Sequence, residues 1–481
     1  MNRRMVFYLT GKIVMLEAIL MLLPLAVSLI YMEKCGIAFL ISIGIALVCG
    51  FALTLIFKPS NHMIYAKEGF VIVALSWLAM SAFGALPAFI SGEIPHYVDA
   101  FFETVSGFTT TGSSILKNVE ELSHGILFWR SFTHWIGGMG VLVFIMAIIP
   151  NTSERSIHIL RAEVPGPIVG KLVPRLKNTA KILYLIYISM TAIEIIFLLC
   201  GGMPLFDSTV HAFGTAGTGG FGIRADSIAS YNPYLQWVIT VFMLLFSLNF
   251  NLYYLVITRH IKDALKSSEL RCFVAVVLVC VAAITIDIYP RYQSFSEAFR
   301  LSAFQTSSII STTGYATADF NTWPELSKGI MFILMFFGGC AGSTAGGLKF
   351  SRVIILVKMI KREFLRMLHP RAVGVITFEG KKVENSTLNG ISNYFSLYTV
   401  ILGISFLLLS FEPFDFETNI TAVVTCFNNV GPGFSMIGPS GNFSAYSMVS
   451  KYILSILMLL GRLEIYPILF ALSPSTWAKK L

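Results

Sequence analysis

Ser106-Gly107-Phe108-Thr109-Thr110-Thr111-Gly112 is one of four short stretches in this chain that end alike. The others are Gly214–Gly220, which contains Gly219, Ser308–Gly314, and Cys426–Gly433, which contains Gly431. With Gly112, Gly219, Gly314 and Gly431 taken as equivalent, successive glycines lie 107, 95 and 117 residues apart. Each stretch sits between two long apolar segments. A period this long, with one membrane-embedded unit per repeat, predicts four pseudo-equivalent units around one axis. Glycine-centred loops converging on an axis form a ring of backbone carbonyls, which takes the place of water around a potassium ion. The repeat therefore predicts a potassium pathway folded from one polypeptide.

Composition sets the class. The chain is 55% apolar and 13% charged, against about 25% charged in an average soluble domain. Apolar runs near the ~20-residue span of a bilayer are predicted at 11–32, 36–57, 69–91, 124–149, 181–201, 233–258, 270–289, 327–360, 388–411 and 447–471. The first run is long and has no small-x-small cleavage site before Tyr31, so it reads as a retained span. With the N-terminus cytoplasmic, alternate loops collect Lys58, Lys67, Arg155, Arg161, Lys171, Arg175, Lys177, Arg259, Lys262, Lys266 and Arg271. A further cluster runs from Lys358 to Lys382, and Lys479 and Lys480 follow on the same side. About 25 of the 35 basic residues fall on this face, which sets the orientation. The net charge of +9 thus reflects topology, and no nucleic-acid partner follows from it. Cysteines 35, 49, 200, 272, 280, 340 and 426 form no CxxC or Cys/His spacing and read as small apolar fillers.

The predicted fold is an all-α polytopic membrane protein with an N-terminal two-helix hairpin (1–67) and four repeats, 68–180, 181–269, 270–387 and 388–481. Each repeat reads as span, short segment, glycine-rich loop, span. The short segments start at Asp99, Asp207, Glu297 and Phe416. A ten-residue helix rises ~15 Å, about half the hydrocarbon thickness, so these segments dip in without crossing. Acids at their starts suit the positive end of the helix dipole, and the carbonyl ends then face inward and favour a cation. The predicted ion-lining residues are Thr110, Thr111, Gly112, Gly217, Thr218, Gly219, Thr312, Thr313, Gly314, Asn429, Val430 and Gly431. The fourth stretch diverges, with Asn428 and Asn429 in place of threonine and Pro432 after the glycine.

On these motifs the chain resembles, over essentially its whole length, the membrane subunit of the Trk/Ktr/HKT potassium transporter superfamily and its bacterial TrkH branch. The resemblance implies four helix–pore-helix–helix repeats around a pseudo-fourfold pore, with filter glycines at Gly112, Gly219, Gly314 and Gly431. Glycine at all four positions goes in that family with potassium over sodium. It further implies a homodimer with one pore per protomer, a multi-pass protein of the bacterial plasma membrane, and a cytosolic nucleotide-sensing ring of the TrkA/KtrA type. Potassium is the substrate, and no cofactor is implied.

Two features stand where the family has its gate. The eighth span is interrupted by Gly338-Gly339-Cys340-Ala341-Gly342-Ser343-Thr344-Ala345-Gly346-Gly347, followed by Leu348-Lys349. So many small residues hold a straight helix poorly, although they also suit close helix packing. Arg462 lies in the last span, where a buried arginine demands an interior partner or a watery pore. The resemblance puts it in the pore below the filter; a pair with Glu464 is disfavoured because i,i+2 side chains do not face each other on a helix, while pairing with Glu17 or Glu194 stays open. Gly217-Thr218-Gly219-Gly220-Phe221-Gly222 matches GxGxxG, but that motif binds dinucleotides only between a strand and a helix. There is no GxxxxGK[ST], HExxH or GxSxG motif, and no enzyme is expected. A cation-coupled secondary transporter is the alternative; repeats sharing one orientation favour a pore over it.

Overall fold

The computed structural model describes residues 1–60, 64–140, 176–371 and 374–478. Arg155, Arg161, Lys171, Arg175, Lys479 and Lys480 lie outside them, as does the end of the span expected at 124–149. The N-terminal pair is α1 (Arg3–Leu20) continuing into α2 (Leu22–Ile30), then α3 (Cys35–Ile56). Asn2 caps α1 by accepting from the Met5 amide. Gly11 and Gly50 face each other across α1 and α3, where a Cβ on either would sit 2.8 Å from the other's carbonyl oxygen. Small residues thus let these two helices approach closely.

The motif long helix, half-helix, loop, inner helix then occurs four times. The first is α4 (Ala66–Gly84) with its extension α5 (Leu86–Ile90), half-helix α6 (Tyr97–Phe108) and α7 (His124–Gly138). The second is α8 (Leu176–Cys200), half-helix α9 (Leu205–Gly217), and α10 (Pro233–Phe246) followed by α11 (Phe250–Ile257). The third is α12 (Ser268–Tyr292), half-helix α13 (Phe295–Ile310), and α14 (Glu325–Leu334) followed by α15 (Phe350–Leu368). The fourth is α16 (Asn385–Leu409), half-helix α17 (Phe416–Asn428), and α18 (Met448–Arg462) followed by α19 (Tyr466–Leu472). A two-stranded hairpin, Thr377–Phe378 paired with Lys381–Lys382, is a small departure from the all-helical expectation.

Six helices among the described residues are long and apolar enough to cross a membrane: Arg3–Ile30, Cys35–Ile56, Lys67–Ile90, Lys181–Cys200, Ser268–Tyr292 and Asn385–Leu409. α10 and α11 are long and apolar enough only when taken together, and the pair is bent by 93°. Ten apolar runs near span length were expected from hydropathy, the eighth of them interrupted, and the difference has a pattern. The inner helices of the last three repeats all break: at Ser247–Asn249, over 335–349, and at 463–465, where Glu464 and Ile465 take positive φ. A chain breaks there because its carbonyls and amides find partners on neighbouring loops, which hydrocarbon would not offer.

The half-helices are 12, 13, 16 and 13 residues long, too short to cross. Each carries an acid in its first turn, namely Asp99, Asp207, Glu297 and Glu417. All four are buried along most of their length. The apolar core of repeats 1 and 4 merges with that of the N-terminal pair, whereas repeats 2 and 3 each form their own cluster. The outward faces are apolar too, as at Ile37, Val48, Leu55 and Ile286, which suits contact with lipid.

Candidate functional site

Every half-helix ends in the same turn. Thr110, Thr218, Thr312 and Asn429 adopt left-handed backbone with φ of 55–58°. The next amide reaches back five residues: Thr111 to Ser106, Gly219 to Gly214, Thr313 to Ser308 and Val430 to Thr425, at 2.8–2.9 Å. This is the capping geometry that usually demands glycine; here Thr and Asn accept the strain so that a side chain is kept below the loop. The following residues, Gly112, Gly220, Gly314 and Gly431, again have positive φ, from 74° to 103°.

That register corrects one sequence assignment. The counterpart of Gly112 in the second loop is Gly220, and Gly219 is the counterpart of Thr111, Thr313 and Val430. The sequence reading chose Gly219 because it follows a threonine as Gly112 does. The turn geometry instead aligns Thr218 with Thr110, one step earlier.

The four loops interlock in cyclic order. A Cβ on Gly112 would press far inside contact distance of the Gly219 carbonyl oxygen, one on Gly220 likewise on Thr313, and one on Gly314 on Val430. One on Gly431 would stand 2.8 Å from the Thr111 carbonyl oxygen, closing the circle. Four carbonyls, of Thr111, Gly219, Thr313 and Val430, therefore alternate with four glycines in one closed layer. Any side chain at a glycine of this layer displaces the carbonyl of the next loop.

Side chains behind the layer fix it in place. Asn429 Nδ2 donates to Thr111 Oγ1 at 2.9 Å and to the Met458 carbonyl at 2.9 Å, which ties the divergent fourth loop to the first. Tyr315 donates its hydroxyl to the carbonyls of His211 and Phe221 at 3.1 and 3.3 Å, joining loop 3 to loop 2. His134 uses both ring nitrogens, Nδ1 to the Gly107 carbonyl at 2.7 Å and Nε2 from the Phe221 amide at 3.3 Å. These partners set the neutral Nδ1–H tautomer. Glu103 binds Arg130 at 2.6 and 2.9 Å, and accepts from Ser114 Oγ and the Ile115 amide, while Arg130 also stacks on Phe221. Sequence reading assigned no role to His134, Arg130 or Tyr315. An arginine inside an apolar run was the available signal for Arg130.

Below this layer lies the interrupted stretch 335–349. The Gly346 amide donates to Thr312 Oγ1 at 2.7 Å, directly beneath loop 3, and a Cβ on Gly346 would meet the Asn428 carbonyl. Cys340 donates its amide to the Ser247 carbonyl, Phe250 its amide to the Gly342 carbonyl, and Thr344 its hydroxyl to the Phe246 carbonyl. A Cβ on Gly338 would collide with the Gly346 carbonyl, and Gly347, whose backbone has positive φ, packs tightly on the Gly338 backbone. Gly339 and Ser343 complete the turn, and Lys349, buried, donates to the Ala345 carbonyl. Arg462 reaches this loop from repeat 4: it donates to the Thr344 carbonyl at 2.7 Å and, on repeat 1, to the carbonyls of Gly137 and Gly138. Its described hydrogen bonds go to backbone rather than to Glu17 or Glu194. Glu464 instead pairs with Arg352 at 2.6 Å.

On the side away from stretch 335–349, Gly112, Gly220, Gly314 and Gly431 open into a vestibule of about 130 Å³. Among the described residues, no cluster of three His, Cys, Asp or Glu side chains is placed to hold a resident metal.

Residues 36–479 match the TrkH family model, described as a cation transport protein. The chain is 35% identical to the Trk system potassium uptake protein TrkG of Escherichia coli strain K12, covering 98% of each. It is also 35% identical to the Trk system potassium uptake protein TrkH of Salmonella typhimurium, covering 99% of this chain and 100% of the relative. The crystal structure of the potassium transporter TrkH from Vibrio parahaemolyticus superposes with a TM-score of 0.89 at 31% identity, covering 99% of this chain and all of that one. A closed ring of four glycine loops and agreement over the full length lead to one conclusion: this chain is a multi-pass membrane protein of the TrkH cation transport family, a family of transporters and not of enzymes.

Proposed function

We propose that the protein is a potassium-selective uptake pathway, that the four interlocked loops are its filter, and that stretch 335–349 with Arg462 is its gate. Its four repeats, 68–180, 181–269, 270–387 and 388–481, stand around the pathway. The observation that carries this reading is the closed layer in which the carbonyls of Thr111, Gly219, Thr313 and Val430 alternate with Gly112, Gly220, Gly314 and Gly431. Carbonyl dipoles held by neighbouring backbone replace hydration around potassium, and a ring that cannot shrink serves the smaller sodium ion less well. The dipoles of the four half-helices, acid end outward, add negative potential at the same place.

The gate reading rests on position. The Gly338–Gly347 run touches loops 3 and 4 from below, and the Arg462 guanidinium stands beside it. An ion leaving the filter meets backbone and a fixed positive charge. The relatives' names specify potassium uptake, which agrees with the chemistry of the ring. The cytoplasmic face, with Lys358, Lys361, Arg362, Arg366, Arg371, Lys381 and Lys382, is where a cytosolic nucleotide-sensing ring docks, on a homodimer in the bacterial inner membrane with both termini inside. The test is ion flux into liposomes holding the purified full-length protein. Potassium flux several-fold above sodium flux supports the reading; equal fluxes, or flux that requires a second ion moving with potassium, overturn it.

A further inference from the structure

Glu269 stands at the cytoplasmic start of α12, a position the gate reading does not use. It is 4% exposed, and its Oε1 accepts two backbone amides: Ala341 at 2.8 Å and Ser351 at 2.9 Å. One amide lies in the middle of the interrupted stretch, seven residues past the end of α14, and the other in the first turn of α15. One carboxylate oxygen therefore staples the middle of the stretch to the start of α15. Bracketing residues 342–350 in this way keeps that half of the loop raised, where Gly346 meets Thr312 and Thr344 meets Arg462.

A second carboxylate fixes the staple itself. Glu379, in the turn of the cytoplasmic hairpin, accepts from Ser267 Oγ at 3.1 Å, Ser268 Oγ at 2.9 Å and the Glu269 amide at 2.9 Å. The hairpin rests on α15 and α16 through Ile376, Phe378 and Val383, packed with Ile355, Leu388 and Ile391. Lys358 also donates to the Thr377 carbonyl at 2.7 Å. An unbroken set of contacts thus runs from the hairpin, which bears Lys381 and Lys382, through Glu379 and the α12 N-terminus to Glu269 and the loop beneath the filter.

We propose that Glu269 is a positioning residue of the gate, holding the loop in its blocking shape, and that Glu379 links this staple to the cytoplasmic hairpin so that force on the hairpin reaches the loop. The inference rests on the gate reading. A buried backbone amide left without its acceptor is costly, and here two amides depend on one oxygen. Motion of the hairpin shifts the α12 start, and the oxygen moves away from one amide or both.

The test is potassium flux per correctly folded protomer, in liposomes with no cytosolic partner present. Glu269→Ala should raise flux by about tenfold, the factor expected from the net loss of one hydrogen bond. Glu269→Gln keeps a carbonyl oxygen that accepts both amides and should stay near the unaltered protein. Glu379→Ala, on the exposed side and safe for folding, should raise flux in the same direction, and the double variant should not exceed Glu269→Ala alone. Deletion of Cys340–Thr344 is measured alongside. If the deletion raises flux and Glu269→Ala does not, the staple is overturned and the gate reading stands. If Glu269→Gln behaves as Glu269→Ala, the shared-acceptor role is overturned. If the deletion leaves flux unchanged, the gate reading fails and takes the staple with it.

Discussion

Gly112 and Gly220 carry the sharpest test of the ring. Each faces a carbonyl of the next loop at a distance no side chain tolerates. Gly112→Ser and Gly220→Ser should both push that carbonyl out of line and admit sodium. Reversal potentials under mixed potassium and sodium gradients measure this, and unchanged selectivity in both variants would count against the layer as a filter. Arg130 tests the support behind it. Arg130→Gln leaves Glu103, 3% exposed, with a charge that has lost its partner, at a cost of about 3 kcal/mol. Thermal unfolding in detergent should show the loss, together with weaker discrimination between the two ions. Glu33, outside the spans, gives a pH dependence. Burial alone would raise its pKa, but the amides of Gly125 and His124 and then the His124 ring more than offset this and hold it below the usual value. A carboxyl with a lowered folded pKa stabilises the fold above its unfolded pKa, and that contribution is lost as pH falls through the folded value. Lowering the pH from about 5 to about 3 should therefore cost the native protein more thermal stability than Glu33→Gln.

The interrupted inner helix is the element whose role is most directly testable. Removing Cys340–Thr344 takes away the segment between the Ser247 contact and the Arg462 contact. Flux per folded protomer should rise without any regulator, and so should that of Arg462→Ala. No rise in either variant would sink the gate. The half-helices behave differently: their starts were legible from Asp99, Asp207 and Glu297 and their ends from the glycines, because local rules govern both.

Across the protein as a whole, charge is sorted by face. Within α15, Arg362 and Arg366 share Glu363, and Lys361, Arg362 and Arg366 border a surface cavity of about 750 Å³. Reversing Arg362, Arg366 and Arg371 to Glu should weaken binding of the proposed cytosolic ring more at low salt than at high salt. Binding measured at two ionic strengths decides this. Unchanged affinity in correctly inserted protein would leave these residues only their part in orienting the chain.

Read alone, the chain already disclosed the mostly helical membrane class, the family, and the short helices that lead into the glycine-rich loops. Apolar runs, dipole-matched acids and glycine after a short helix act locally and leave their mark in neighbouring residues. Three things needed the folded chain. The register of the second loop was one, because Gly219 and Gly220 are chemically identical and only the left-handed turn at Thr218 distinguishes them. The partners of Arg462 were another: hydropathy marks a buried cation, but the carbonyls it meets lie 118 and more than 320 residues away in sequence. The third was the pair of breaks at 247–249 and 463–465, which the sequence reading ran through. Hydropathy sums side chains, whereas a helix breaks where its backbone groups gain better partners from other parts of the chain, and those partners exist only in the folded protein.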